Sequence, residues 1–175
     1  MIQPGRRAVA MLAAVAAALA VTAPGGAGTT GNESFAGVIV ASGRSGERVV
    51  VASTIVAKGV FNGVGRVVEI ANLPTDPDNV VRDDFVFAAG TMHVVTTILD
   101  TTFSVNMRSC VFVATIQQAG AITGGTGQFA GATGSATGTL TGHGVLSRNP
   151  DGSCSFEQEA LVDVDMFTSS GSLSF

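Results

Sequence analysis

Four carboxyl side chains recur at alternate positions close to the C-terminus of this chain: Glu157, Glu159, Asp163 and Asp165. Their spacing predicts the polar face of a long strand over residues 153–167. Two such carboxyl groups, roughly 6.6 Å apart as same-face neighbours, could divide the roles of acid and base if burial raised the pKa of one of them. The interpretation that we favour is a solvated outer face that discourages aggregation.

The two histidines, His93 and His143, are the other candidates for proton transfer. His143 shares a predicted strand face with threonine and serine hydroxyls, so it would transfer protons if that face pointed into a barrel. A structural or surface role is the interpretation that we favour for both histidines. The sequence contains neither G-x-S-x-G nor H-E-x-x-H, so hydrolase and zinc chemistry have no basis in it, and we predict no metal and no cofactor.

The stretch that would position His143 is residues 119–146, AGAITGGTGQFAGATGSATGTLTGHGVL. From Thr133 onward, hydroxyl-bearing residues and His143 occupy the odd positions, and Gly, Ala and Leu occupy the even ones. This alternation predicts a β-hairpin with one polar face and one nearly bare face. A bare face is tolerated where another backbone, a large side chain or a ligand comes close, as in a closed barrel.

The glycines before this strand are predicted to form a structural turn: Gly124, Gly125 and Gly127. A two-residue turn of type I′ or II′ needs a positive φ, which glycine adopts without strain. Residues 125–130 also satisfy G-x-G-x-x-A, but a dinucleotide site needs a helix to follow, and residues 131–144 are too rich in Gly and Thr for one. We therefore favour the turn.

The segment GGTGQFAGATG at residues 124–134 resembles the GGTGxFxxAxG-like hairpin of the allene oxide cyclase and dirigent barrel superfamily. Among its members, the chain looks most like secreted bacterial proteins with an allene oxide cyclase-like barrel. The resemblance implies an eight-stranded antiparallel β-barrel with an apolar cavity, used in that superfamily to cyclise reactive small molecules or to steer radical coupling. It transfers no catalytic residue, because the chain has no Tyr for a dirigent-type site and no position that matches the cyclase glutamate by motif.

Composition supports an all-β, single-domain fold, since Gly, Thr and Val recur throughout and long stretches rich in Glu, Lys and Leu are missing. Ten segments are candidate strands, so some must join into longer ones to make eight. They are residues 35–41, 48–57, 60–71, 84–88, 92–99, 102–107, 110–118, 128–146, 153–167 and 172–175.

The first 27 residues have the layout of a secretory signal peptide, followed by a barrel domain over residues 28–175. Arg6 and Arg7 precede an apolar run over residues 8–21, and small residues follow up to Ala27. The run is about 14 residues, short of the roughly 20 that span a bilayer, so we favour a cleaved leader over a membrane anchor. This predicts a secreted or extracytoplasmic protein with no stable membrane insertion after cleavage.

The net charge limits the classes of partner, and the cysteine content indicates whether a disulfide forms. Loss of the leader removes two of the nine basic residues and none of the 13 acidic ones, leaving a formal charge of −6, which makes nucleic acid an unlikely partner. Cys110 and Cys154 are the only cysteines, and in an exported chain they predict one disulfide. Buried free thiols or a redox couple are the alternatives, although no C-x-x-C favours redox work.

The functional prediction rests on phenylalanines that would point inward. Phe85 and Phe87 would share one strand face, and Phe103 lies on an apolar face of a later strand. We predict that these three rings, with His143, line a pocket that binds a small hydrophobic molecule, with cofactor-free cyclase or isomerase activity left open. The alternative is a noncatalytic secreted or cell-envelope barrel with a structural or partner-binding role, which a solidly packed interior would favour. The sequence identifies neither the ligand nor the oligomeric state.

Overall fold

The computed structural model describes residues 28–44 and 46–175, and the predicted signal peptide lies outside them. The described chain folds as a closed antiparallel barrel in which each of eight strands pairs with the next and the last pairs with the first. The eight-stranded all-β prediction is confirmed. The strands are β1 (Thr30–Ser42), β2 (Val49–Gly59), β3 (Gly63–Ile70), β4 (Val80–Phe87), β5 (Gly90–Asn106), β6 (Val111–Gly125), β7 (Thr133–Val145) and β8 (Val162–Ser174).

Side chains alternate between the barrel interior and the outer surface, as the pleat of a strand requires. On β7 the small residues point inward: Gly142 lies beside Ala114 and Asp165 on the two adjacent strands, and the ring of Phe112 covers Gly144. The hydroxyl-bearing face of β7, including His143, is therefore the outer face. The bare face leaves interior room that neighbouring side chains use.

Several predicted strands differ from the structure in their bounds, and the largest differences concern β5 and β8. Residues 92–99 and 102–107 are one continuous strand, β5, which absorbs a bulge between Ile98 and Asp100. The strand predicted over residues 153–167 is wrong before Val162, where β8 begins. Residues 146–161, here called the strap, instead cross one end of the barrel.

Backbone hydrogen bonds to neighbouring elements hold the strap in place. The carbonyl of Ala160 accepts the Gly43 N–H at 2.9 Å, and the Leu161 N–H donates to Val145 at 2.8 Å. Because these partners lie at the start of the β1–β2 loop and at the end of β7, the strap satisfies its polar backbone without a continuous ladder.

The Cys110–Cys154 disulfide, which is confirmed, fastens the strap to the tip of the β5–β6 hairpin. The two Cα atoms lie 5.4 Å apart, and the sequence separation is 44 residues. Closing a loop of that length stabilises the fold by roughly 4 kcal/mol in the chain-entropy model. Disulfides of this kind are typical of oxidising, extracytoplasmic compartments.

Antiparallel pairing sends the connections alternately to two ends of the barrel, and an aromatic cluster fills the end opposite the strap. We call this the closed end. Phe61 packs edge-on against Phe87 and Phe129, with ring centroids 5.0 and 4.9 Å apart, and Phe175 lies 5.4 Å from Phe129. The carboxylate of Glu33, also buried here, accepts the backbone N–H of Phe61 at 2.9 Å.

The glycine-rich β6–β7 connection supplies the central ring of this cluster. It is a longer loop around a single 3₁₀ turn, Gly127–Phe129, and not the two-residue turn predicted from the sequence. Phe129 inside it is completely buried. Gly127 has a φ of +59°, and a Cβ there would lie 2.5 Å from the Ala89 carbonyl oxygen. Within the described ranges, no helix is both long and apolar enough to cross a membrane.

Candidate functional site

The barrel interior between the aromatic cluster and the strap holds a cavity of about 380 Å³. Inward side chains of seven strands form its wall, and the strap and Arg48, just before β2, complete the rim. We call this the open end. The volume lies in the range of sites for small organic molecules. A second pocket of about 30 Å³ lies deeper, against the Gly138 side of β7, and shares Phe85 and Phe167 with the main cavity.

Most of the cavity wall is apolar. The rings of Phe85 and Phe167 lie nearly parallel with centroids 6.3 Å apart, and both line the cavity where it meets the smaller pocket. Aliphatic side chains cover the adjoining strands: Ile39, Val67, Ile98, Ile116 and Leu140. Such a surface binds the apolar part of a molecule by burial and contributes little selectivity.

An arginine and three carboxylates form an ion-pair network in the same cavity. The Arg48 guanidinium donates to Asp163 at 2.9 Å and to Asp165 at 2.7 Å, and it also pairs with Glu69. Asp163 and Asp165 are consecutive inward positions of β8, so the strand pleat places both carboxylates beside one guanidinium. Arg48 comes from the loop before β2, and the closure of the barrel brings it to β8.

Two of the cavity carboxyl groups titrate close to neutrality. Burial, reinforced by the charge of Asp163, raises the pKa of Asp165 to about 6, although Arg48 opposes the shift. Burial likewise raises the pKa of Asp83 to about 6, aided by the charge of Glu69 across the strand pair. Groups with such pKa values donate and accept protons at ordinary pH, which is what acid–base chemistry needs.

The phenylalanines and the histidine predicted to bind a ligand lie in different places. Phe85 lines the cavity, but Phe87 packs in the closed end. Phe103 is 51% exposed and packs on Phe112 at 5.4 Å, outside the cavity lining, because the β5–β6 hairpin extends beyond β4. His143 is exposed on the outer face of β7, away from the cavity.

The carboxylates of β8 differ from the interpretation that we favoured. Asp163 and Asp165 face the interior, and Asp163 is only 6% exposed. Their neighbours Val162 and Met166 take the outer face, at 36% and 48% exposure. A solvated outer face for these two aspartates is therefore wrong. The prediction assumed that the polar face of the strand was the outer one. In this part of β8 the polar residues are inside and the apolar ones are outside.

The two glutamates of the predicted series lie in the strap. Glu159 reaches the cavity rim, and Glu157 is exposed. They do not share a strand face with the aspartates, since the ladder begins only at Val162.

Sequence reasoning missed Arg48, Glu69 and Asp83. Asp83 was within reach of the pattern, because it precedes Phe85 by two positions and inward residues recur with a period of two. The predicted strand began at Asp84, four residues after the start of β4, and so left Asp83 out. Arg48 carried no such signal, since it lies in a loop whose position depends on barrel closure.

His93 and the loop residue Asp76 make local contacts. His93 pairs through Nδ1 with Asp84 at 2.7 Å on the outer face. Asp76 binds Arg82 through two hydrogen bonds of 2.6 and 2.9 Å, and these hold the pKa of that carboxyl at about 2. In residues 28–44 and 46–175 no group of three or more His, Cys, Asp or Glu side chains is arranged to hold a metal ion.

Comparisons with protein-family models, with curated proteins and with solved structures find no match to this chain. The chemistry of the cavity itself is therefore the basis for a functional interpretation.

Proposed function

We propose that this protein is an exported β-barrel that binds a small hydrophobic molecule in its interior, in the manner of the allene oxide cyclase and dirigent barrels that its glycine hairpin resembles. The observation that carries the proposal is the apolar cavity of about 380 Å³ at the open end. A noncatalytic structural barrel has no use for an interior left unfilled, because unfilled core volume lowers stability.

The cavity is large enough for useful affinity. Removal of apolar surface from water contributes roughly 25 cal/mol per Å², before the cost of association is subtracted. A ligand of modest size therefore reaches micromolar affinity from the apolar wall alone. Ring closure or isomerisation of the bound molecule would draw on its confinement in one conformation, on exclusion of water, and on the titratable carboxyl groups Asp83 and Asp165.

The test uses diphenylhexatriene, a neutral fluorescent polyene, with two tryptophan variants. The native protein should bind the probe at micromolar concentration with enhanced fluorescence. Ala114→Trp, which fills the cavity, should abolish binding. Val113→Trp, one residue along β6 on the outer face, should leave binding unchanged. Absence of binding by the native protein at tens of micromolar, or equal binding by both variants, refutes the proposal.

Export is tested separately by mass spectrometry of the protein recovered from culture supernatant. We expect a mature chain that begins close to Gly28. Recovery of only the full-length chain, in the membrane fraction, contradicts this part of the proposal.

A further inference from the structure

The titratable side chains that line the cavity include more acidic groups than basic ones. They comprise one guanidinium and five carboxyl groups: Arg48, and Glu69, Asp83, Glu159, Asp163 and Asp165. Arg48 pairs with three of the carboxylates, Glu69, Asp163 and Asp165. The carboxyl groups of Asp83 and Glu159 have no hydrogen bond or ion pair to any residue in the described part of the chain. The interior therefore holds more negative charge than its own cation compensates.

Asp83 is the unpaired carboxyl group set among apolar and aromatic side chains. It lies on the inward face of β4, two positions from Phe85, and directly opposite Glu69 on β3. The charged groups around it are Glu69 and Arg48, with Asp84 on the opposite face of its own strand. A half-buried carboxylate beside a second carboxylate is costly unless a cation or a proton neutralises it. An ammonium group placed beside Asp83 would supply such a neutralising charge when the carboxyl group is ionised.

The rest of the cavity wall suits the apolar part of a ligand that carries a positive charge. Phe85 and Phe167 present aromatic rings to the cavity next to Asp83 and Asp165. Aromatic faces attract ammonium groups and also bury hydrocarbon. A carboxylate on the ligand would instead meet an excess of like charge in a partly desolvated space.

We infer that the cavity binds an apolar molecule that carries one protonated amine, with the ammonium group beside Asp83 and the hydrocarbon body against Phe85 and Phe167. This inference rests on the proposed function and adds the class of ligand to it. Anionic amphiphiles such as fatty acids are disfavoured by the same charges.

The pKa values of the cavity give the inference a second signature. Burial raises the pKa of Asp83 and of Asp165 to about 6, so both groups ionise between about pH 5 and pH 7. An alkylamine keeps its charge throughout that interval and should bind more tightly as the carboxyl groups ionise. A neutral alcohol of the same length gains nothing from their ionisation.

The experiment measures displacement of diphenylhexatriene by octylamine, octanol and octanoate at pH 7.5. We expect octylamine to displace the probe at about one tenth of the octanol concentration, and octanoate to be the weakest of the three. Asp83→Asn should bring octylamine to parity with octanol. Asp84→Asn, the matched change on the outer face of the same strand, should keep the tenfold preference.

Parity of octylamine and octanol with the native protein, or a preference for octanoate, overturns the inference and leaves the proposed function standing. Failure of the probe itself to bind refutes the proposed function, and the inference falls with it. The native protein also provides a test that needs no variant: the octylamine preference over octanol should rise severalfold from pH 5 to pH 7.5. A preference that does not change over that interval is a contrary result.

Discussion

At the closed end of the barrel four phenylalanine rings fill the interior, whereas at the open end an arginine and several carboxylates surround a cavity. Both ends are built on identical strand geometry, with side chains alternating inside and outside. The closed end is sealed by a loop that folds inward on Phe129. The open end is crossed by a strap that a disulfide holds in place.

The contrast separates stability from function within one small domain. Ring packing removes apolar surface from water and stabilises the fold. Charged side chains around a cavity lose hydration free energy and add little to the stability of the fold. Their arrangement is therefore better explained by binding. Changes at the closed end should therefore unfold the protein, and changes at the open end should alter binding while the fold persists.

The largest effect should come from the central ring of the closed end. Phe129→Ala removes a completely buried side chain and should lower the free energy of unfolding by about 3–5 kcal/mol, measured by urea denaturation. Phe103→Ala provides the control at the open end, because that side chain is 51% exposed. Its loss should be about 1 kcal/mol or less. Equal losses for the two variants would erase the distinction between the ends.

The second effect concerns the strap. Replacement of Cys110 and Cys154 by Ala should cost about 2–4 kcal/mol, because the unfolded chain regains the freedom of a loop of 44 residues. The strap also carries Glu159 and Ala160 to the cavity rim, so probe affinity should fall in the folded variant. Unchanged affinity would mean that the strap keeps its position without the disulfide.

A third effect tests the glycine loop. Gly127→Val should cost well over 1 kcal/mol, since the residue has a φ of +59° and a Cβ would lie 2.5 Å from the Ala89 carbonyl oxygen. Gly131→Val places the same side chain at a φ of +78° with nothing within 4 Å. It should therefore show the backbone strain alone and lose less stability. If Gly131→Val is as damaging as Gly127→Val, strain rather than crowding accounts for both.

Local patterns in the sequence predicted the all-β fold and the disulfide, through alternation along each strand and a single cysteine pair in a chain with a leader-like segment. The number of eight strands came from the resemblance of the glycine hairpin to the allene oxide cyclase and dirigent barrels, since the alternation alone gave ten candidate segments. The glycine hairpin was also recognisable, although Phe129 was not identified as its buried ring. That role depends on Phe61, Phe87 and Phe175, which are distant in sequence.

The residues of the candidate site could be predicted from the sequence only in part. The identity of the inward face of β8 cannot be read from polarity when the interior itself is polar, and for that reason Asp163 and Asp165 were assigned to the wrong face. Arg48 joins these aspartates through barrel closure, which brings the first and last strands together. Long-range closure leaves no trace in local sequence spacing.

The smallest predicted effect is the pH dependence of stability at the open end. The pKa of Asp83 and of Asp165 is raised to about 6 in the folded protein, above the ordinary value of 3.8. The folded state therefore binds more protons than the unfolded state in this interval, and the free energy of unfolding should fall as the pH rises from about 4 to about 6.5. The drop should be on the order of 1 kcal/mol per group, since solvent near the rim screens the charges.

Urea denaturation across that interval provides the measurement. In the double variant Asp83→Asn, Asp165→Asn the slope between pH 4 and pH 6.5 should largely disappear, because neither replacement side chain titrates. Asp78→Asn, at an exposed loop position, should retain the native slope. Asp76 acts with the opposite sign and in a lower interval, because Arg82 holds its pKa at about 2 and its contribution is lost only as the pH falls below about 4. Two outcomes would contradict the prediction: a native protein whose stability does not change between pH 4 and pH 6.5, or a double variant that keeps the slope. Either would show that the cavity carboxyl groups titrate as ordinary surface groups. The open end would then lose the electrostatic feature that distinguishes it from the closed end.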